Sequence, residues 1–194
     1  MNIAIFASGG GSNARKIIEY FEENPSIKIV LVISNKADAG VLAIAEEFGI
    51  ERLIISKSTL YDSQFMLKTL EDCAVNFIVL AGFLLLVPTY LVEHFEQRIV
   101  NIHPALLPKF GGKGMHGSHV HEAVHAANET ESGITIHFCN AVYDEGSIVF
   151  QATCPVLPED DAKDIARKVL ALEHHFFPRV IEQLSEKRKV KSEK

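Results

Sequence analysis

The chain has 194 residues, of which 47% are hydrophobic and 23% charged, a composition that is typical of a folded globular protein and excludes a disordered one. Its 19 Lys and Arg against 25 Asp and Glu give a formal net charge of −6, which disfavours a nucleic acid partner. The three widely spaced cysteines, Cys73, Cys139 and Cys154, exclude a disulfide framework and favour a reducing compartment. Because the first residues lack the basic segment of a signal peptide and no apolar run approaches the roughly 20 residues that cross a bilayer, we expect a cytoplasmic protein with no membrane partner.

The first half of the chain alternates between apolar runs and segments of helical periodicity. The apolar runs predict strands at residues 3–7, 28–34, 52–55, 77–81 and 98–102. The intervening segments predict helices at residues 12–23, 41–48 and 62–74, and a short helix after Pro88. This regular alternation is typical of a parallel sheet with helices on both faces.

The second half changes character at Pro104. Its predicted segments are a loop rich in Gly and Pro, a helix, two strands joined by a turn, and a last helix, at residues 104–117, 118–127, 134–138, 147–153 and 160–184. Apolar and polar residues alternate in the first of these strands, which predicts that it is half-buried. We expect the charged tail, residues 186–194, to fray.

Together these elements predict the fold class, an α/β protein with a single doubly wound, mostly parallel sheet and an antiparallel hairpin in its second half. We find no repeat and no linker, so we expect one domain over residues 1–185, followed by the charged C-terminal tail at 186–194. This architecture is common among nucleotide-binding proteins, but it does not determine function.

A glycine-rich turn follows the first predicted strand. The segment Gly9-Gly10-Gly11-Ser12-Asn13-Ala14 fits the pattern G-x-G-x-x-A and leads into a helix, where backbone amides and the helix N-terminus favour an anion. A dinucleotide site would also require an acidic residue after the second strand, but the sequence has Ser34-Asn35-Lys36 there. The pattern therefore favours a single phosphate. The alternative is a tight strand–helix turn that binds nothing.

Two polar residues, Asn101 and His103, lie at the end of the fifth predicted strand, and their spacing places both side chains on one face. An amide that donates to a developing oxyanion, next to an imidazole that moves protons, suits acyl transfer. His137 in the following hairpin and Asp144 in its turn add an imidazole and a carboxylate, and a carboxylate near His103 would favour its charged form. The alternative is an ordinary polar strand end, with Asp144 as a turn residue.

The segment His121-Glu122-Ala123-Val124-His125 matches the zinc motif H-E-x-x-H on a predicted helix. Asn128 and Glu131 stand where the longer form of the motif has Gly and His, and the short form arises easily by chance among 9 histidines. We therefore predict a solvated helix face. A zinc hydrolase that uses His121 and His125 is the disfavoured alternative.

An apolar run continues beyond the fourth predicted strand, from Gly82 to Pro88, where a loop would ordinarily be polar. This run predicts the wall of a pocket for a flat aromatic ligand. The alternative is a buried connector.

Several segments taken together make the chain similar to a known enzyme family. They are Ser8-Gly9-Gly10-Gly11-Ser12-Asn13, Ser34-Asn35-Lys36-Ala37-Asp38-Ala39, Leu80-Ala81-Gly82-Phe83, Asn101-Ile102-His103-Pro104-Ala105-Leu106-Leu107-Pro108-Lys109 and Gly133-Ile134-Thr135-Ile136-His137-Phe138. On these segments, and over nearly the whole chain, it resembles the folate-dependent formyltransferases, and among them the phosphoribosylglycinamide formyltransferases (glycinamide ribonucleotide transformylases).

The resemblance implies that the formyl group of 10-formyltetrahydrofolate, a co-substrate, passes to the amine of 5-phosphoribosylglycinamide in de novo purine (IMP) biosynthesis, without a metal. Asn101 would bind the formyl oxygen, His103 would stabilise and protonate it, and Asp144 would support His103 and help to manage the amine proton. The resemblance also implies that the Leu107–Pro108 bond is cis.

The same resemblance implies where the substrates bind. Gly11, Ser12 and Asn13 would hold the substrate phosphate, and Glu173 would lie near the ribose. The folate would be bound by Leu84, Leu85, Leu86, Val87, Asn101, Asn140 and Ala141. Many relatives have an arginine in the pterin loop, where this chain has leucines.

Two further functions stay open. One is a related formyl-folate transferase or hydrolase with another acceptor, and the other is a non-catalytic protein that binds a phosphate ligand. In each case we expect small-molecule ligands, and a monomer or a homodimer.

Overall fold

The computed structural model describes residues 1–192, and the chain divides into two compact units. The first unit is Met1–Phe83 together with the chain from His174 onwards, and the second is Leu84–Glu173. Among the described residues, no helix is both long enough and apolar enough to cross a membrane.

The first unit is built from alternating strands and helices. In chain order they are β1 (Asn2–Phe6), α1 (Ser12–Phe21), β2 (Lys28–Ser34), α2 (Gly40–Glu47), β3 (Glu51–Ile54), α3 (Lys57–Tyr61), α4 (Ser63–Asp72) and β4 (Phe77–Leu80). The strands pair in parallel in the order β3-β2-β1-β4. Both β1 and β4 are almost wholly buried, as expected for continuous apolar strands of a parallel sheet that is covered on both faces.

The turn between β1 and α1 depends on glycine at position 11. Gly11 is the N-cap of α1 and has a φ of 80°, in the left-handed region. A Cβ at this position would lie 2.8 Å from both Cα and Cβ of Val41 in α2. The close approach of α2 therefore makes any larger residue unfavourable here.

The second unit carries the remaining elements. They are α5 (Thr89–His94), β5 (Ile99–His103), α6 (Ser118–Ala126), β6 (Glu131–Phe138), β7 (Ile148–Pro155) and the start of α7 (Ala162–Ser192), a helix that continues into the first unit. β5 pairs with β6, and β6 pairs with β7, both antiparallel. The predicted cis bond between Leu107 and Pro108 is confirmed.

The predicted fold class is confirmed: the chain is an α/β protein with a seven-stranded, mostly parallel sheet and an antiparallel β5-β6-β7 segment. The main predicted strands and helices are present, and their observed ends differ from the predicted ends by a few residues. The sequence patterns did not predict α3, a single short helix whose N-cap Ser56 accepts a hydrogen bond from the Thr59 amide.

Two predictions were wrong. β6 is not half-buried, because Thr135 and His137 on its polar face are buried as well. The last helix does not end at Leu184 but continues to Ser192, since Ser185 is still buried and the Glu, Lys and Arg residues that follow are good helix formers. The last two residues of the predicted fraying tail lie outside the described residues.

We expect Gly11→Ala to lower the free energy of unfolding by about 1–3 kcal/mol, because it places a Cβ in a left-handed backbone conformation and against α2. Gly9→Ala is the matched control, since a Cβ there meets no atom within 4 Å, and it should change the value by less than about 0.5 kcal/mol. Urea denaturation of the two variants measures both quantities. Equal stability of the two variants would contradict the argument.

Candidate active site

The face of the β5–β6 pair carries four polar side chains. Asn101 and His103 on β5 pair in register with His137 and Thr135 on β6, and directly opposed residues of antiparallel strands share a face. His103, Thr135 and His137 are buried, and Asn101 is half-buried. The prediction that Asn101 and His103 share a face is therefore confirmed.

Asp144 reaches this face from the turn between β6 and β7. Its carboxylate Oδ2 lies 3.5 Å from Nδ1 of His103, and its Oδ1 lies 3.5 Å from Nε2 of His137. The Gly112 amide also donates to Oδ2, at 3.0 Å. The predicted contact between Asp144 and His103 is confirmed, with a side chain that is only 11% exposed.

His137 fixes the orientation of Asn101. The carbonyl oxygen of Phe138 lies 2.9 Å from Nδ1 of His137, so this nitrogen carries the proton of the neutral ring. Nε2 then accepts from Nδ2 of Asn101, at 3.1 Å, and the same amide group donates to Oδ1 of Asp144, at 3.4 Å. Both amide hydrogens of Asn101 therefore face acceptors of the protein.

Both ring nitrogens of His103 also have partners. Nε2 donates to the carbonyl oxygen of Phe110, at 2.7 Å, and Nδ1 faces Asp144. Burial lowers the pKa of His103 below its ordinary value, although the Asp144 charge and the Phe110 carbonyl act in the opposite direction. The expected influence of the carboxylate on His103 is therefore present but is outweighed by burial.

Asp144 itself stays a carboxylate at neutral pH. Burial alone would raise its pKa, but the neighbouring His137 side chain, the charge of His103 and the Gly112 amide together bring it below its ordinary value. The cluster thus combines an ionised acid with an imidazole that loses its proton easily, an arrangement suited to proton transfer.

The predicted phosphate loop lies at the start of α1, in the first unit. α1 begins at Ser12, and no side chain caps its N-terminus. Ser12 is exposed, whereas Gly11 and Asn13 are half-buried. An open cavity of about 530 Å³ adjoins the loop and is lined by Gly10, Gly11, Ser12, Arg15, Gly40, Ala43, Ile44 and Glu47. An exposed helix start without a side-chain cap favours an anion.

The residues expected to bind folate and ribose lie in the second unit. Leu84 is 40% exposed, Leu85 and Leu86 are half-buried and Val87 is buried, so the segment is neither a buried connector nor a fully solvated loop. Asn140 accepts a hydrogen bond from the Val142 amide, at 2.9 Å, and Ala141 is exposed. Glu173, expected near the ribose, is buried.

The H-E-x-x-H segment lies on α6 as predicted, but its face is not wholly solvated. His121 is buried and His125 is exposed. Burial, and then the charge of His103, lower the pKa of His121. Among residues 1–192, no group of three His, Cys, Asp or Glu side chains is placed to hold a metal ion.

Sequence reasoning assigned no role to two residues of the site. Phe110 contributes only its backbone carbonyl to His103, so its side chain gives no signal. Thr135 lies on the same face as His137, and the alternation in β6 was a usable sign of this.

The chain is similar to known proteins over most of its length. A family model described as formyl transferase matches residues 1–181. The chain is 41% identical to the chloroplastic phosphoribosylglycinamide formyltransferase of Arabidopsis thaliana, over 96% of this chain and 66% of that protein. It is 35% identical to phosphoribosylglycinamide formyltransferase of Escherichia coli strain K12, over 93% of this chain and 85% of that protein.

A solved structure is similar over nearly the same range. The crystal structure of phosphoribosylglycinamide formyltransferase from Anaplasma phagocytophilum has a TM-score of 0.87 and 33% identity, over 96% of this chain and 87% of that chain. The chain spans about two thirds or less of the length of the two plant relatives, at 66% and 61%.

In an NMR titration, we expect His103 to lose its ring proton below its ordinary pKa of about 6.5, because burial disfavours the charged ring. Asp144→Asn should lower the pKa of His103 further, since it removes the negative charge that favours the protonated form. Glu145→Gln, at the exposed neighbouring position, is the control and should leave the titration unchanged. A rise in the pKa of His103 in Asp144→Asn would contradict this electrostatic account.

We also expect the purified protein to contain no stoichiometric zinc, because His121 and His125 differ in exposure and lack a third ligand among the described residues. Elemental analysis by mass spectrometry, before and after treatment with a chelator, measures this. Zinc at one equivalent per chain in active protein would restore the zinc-hydrolase interpretation.

Proposed function

Because this chain belongs to the formyl transferase family, we propose that it transfers the formyl group of 10-formyltetrahydrofolate to the amine of 5-phosphoribosylglycinamide, a step of de novo purine biosynthesis. The relatives named for this reaction support the choice of substrates. The observation that carries the proposal is the buried cluster of Asn101, His103 and Asp144, whose donors and acceptor suit acyl transfer to an amine.

In the proposed reaction, the amine nitrogen bonds to the formyl carbon and negative charge develops on the formyl oxygen. Asn101 donates an amide hydrogen to this oxygen by giving up its longer bond, the one to Asp144 at 3.4 Å. His103 donates a second hydrogen from its ring, by giving up the bond from Nε2 to the Phe110 carbonyl. Donors held in place before the reaction stabilise such an oxyanion most effectively in a site with little water.

Asp144 manages the remaining protons in this proposal. Its carboxylate accepts the proton that the attacking amine loses, and a proton returns to the folate nitrogen when its bond to the formyl carbon breaks. The lowered pKa of Asp144 supports this role, because the group is ionised and able to accept before the reaction starts. His137 keeps the Asp144 and Asn101 side chains in place through its own contacts.

Substrate binding follows the same assignment. We propose that Gly11, Ser12 and Asn13 hold the phosphate, which the uncapped start of α1 supports, and that Glu173 lies near the ribose. The folate would contact Asn101 and the segments at residues 84–87 and 140–141, where half-buried apolar side chains are available to a flat ring.

No metal takes part in the proposed reaction, and the catalytic domain spans residues 1–185. Its three free cysteines support a cytoplasmic location.

We expect His103→Ala to lower kcat for formyl transfer by about 10²–10⁴-fold, because it removes a general acid next to the oxyanion. The assay follows the absorbance of the folate with and without 5-phosphoribosylglycinamide. His125→Ala is the control, since this exposed residue lies on α6 outside the cluster, and it should retain the activity of the parent protein.

Turnover of the folate without the acceptor would instead favour a formyl-folate hydrolase. Loss of activity in His125→Ala together with a metal requirement would favour the zinc hydrolase. If no 10-formyl folate is consumed under any condition, the proposed reaction is wrong and a phosphate-binding protein remains.

A further inference from the structure

We infer that Thr135 and Gln151 form a clamp that positions His103 for catalysis by holding the segment at residues 105–110, an inference that rests on the proposed function for its catalytic consequence. Gln151 belongs to none of the sequence motifs, and Thr135 lies within one of them without a role assigned to it. Gln151 lies on β7, two strands away from His103 in the β5-β6-β7 segment. It does not touch the expected reacting groups, so its role is that of a positioning residue.

The clamp begins with a row of three residues across the sheet. His103 on β5 pairs in register with Thr135 on β6, and Thr135 pairs in register with Gln151 on β7. Because residues that are directly opposed on antiparallel strands point to the same face, all three side chains lie on the face of the candidate active site.

The Thr135 hydroxyl is at the centre of the clamp and is fully buried. It donates to the carbonyl oxygen of Ala105, at 2.7 Å, and accepts from the Leu107 amide, at 3.0 Å. Gln151 donates to the same hydroxyl oxygen, at 2.9 Å. One hydroxyl group therefore satisfies a carbonyl and an amide of the segment that directly follows His103.

Gln151 completes the hold on Leu107. Its Nε2 donates to the carbonyl oxygen of Leu107, at 3.1 Å, as well as to Thr135. Both backbone polar groups of Leu107 are thus bound by side chains of the sheet, in the way that a neighbouring strand would bind them.

The held segment leads directly to the groups that contact the cluster. Three residues after Leu107, the Phe110 carbonyl accepts the hydrogen bond from Nε2 of His103. The Leu107 side chain also packs on Gly111, where an added Cβ would clash with Cδ2 of Leu107, and the next amide, that of Gly112, donates to Asp144. Displacement of Leu107 therefore affects the partners of both His103 and Asp144.

Gln151→Leu tests the clamp, because leucine is close in size and removes both hydrogen bonds from a strand position that is exposed. We expect kcat to fall by about 10-fold to 100-fold, as for a misplacement of reacting groups by a fraction of an ångström to 1 Å. The KM for 5-phosphoribosylglycinamide should change little. The pKa of His103, measured by NMR without substrate, should rise towards its ordinary value, since a loosened segment exposes the ring to water and burial is the main cause of its lowered pKa.

Thr135 provides a matched pair of variants. Thr135→Ser keeps the hydroxyl and should retain most of kcat and the low pKa of His103. Thr135→Val keeps the shape of the side chain without the hydroxyl, so kcat should fall and the pKa of His103 should rise. Thr153→Val is the control for β7, because Thr153 lies on the same strand and is exposed. It should leave kcat and the titration of His103 unchanged.

The outcomes separate the clamp from the proposed reaction. A Gln151→Leu protein that keeps both its kcat and the titration of His103 overturns the clamp. An unchanged titration with a loss of thermal stability also overturns it, since Gln151 would then serve only the fold. If the parent protein transfers no formyl group, the proposed function fails, and the titration of His103 in Gln151→Leu still decides whether the clamp acts.

Discussion

The burial of the Asp144 carboxylate is the constraint on which the second unit depends. A carboxylate that is only 11% exposed has to be surrounded by donors, because an ion without them is costly to remove from water. Its polar neighbours come from three separate places: Asn101 and His103 on β5, His137 on β6, and the Gly112 amide in the loop that follows β5. Strand pairing, the turn at Asp144 and the loop therefore have to be correct together for the carboxylate to be stable.

Local patterns were enough to predict most of the fold, because β1 and β4 are short, continuous apolar runs that are buried on both sides and alternate with segments of helical periodicity. The side-chain face shared by Asn101 and His103 followed from spacing alone. The burial of β6 could not be predicted from spacing, because Thr135 anchors the loop that covers its polar face. The residues that Thr135 contacts in this loop are far away in the sequence. The position of Asp144 needed the family resemblance, and the contacts of Gln151 became visible only when the register of β7 was known.

The glycine-rich turn shows that a motif residue can be required by packing as well as by a ligand. Gly11 is required by its left-handed backbone and by the approach of Val41, whether or not an anion binds. Packing between α1 and α2 therefore explains one glycine of the pattern without any ligand. What points to an anion is the exposed start of α1 at Ser12, where no side chain caps the helix.

The hydrogen bonds already made by Asn101 and His103 have a consequence for selectivity. Each hydrogen that a substrate oxygen receives in this site has to be taken from an acceptor of the protein, so binding exchanges one bond for another. A neutral carbonyl oxygen is a weaker acceptor than a carboxylate and gains little from such an exchange, whereas an oxygen that carries a full negative charge gains a stronger bond. For the proposed reaction, this exchange favours the transition state over the bound ground state, which is the difference that accelerates a reaction.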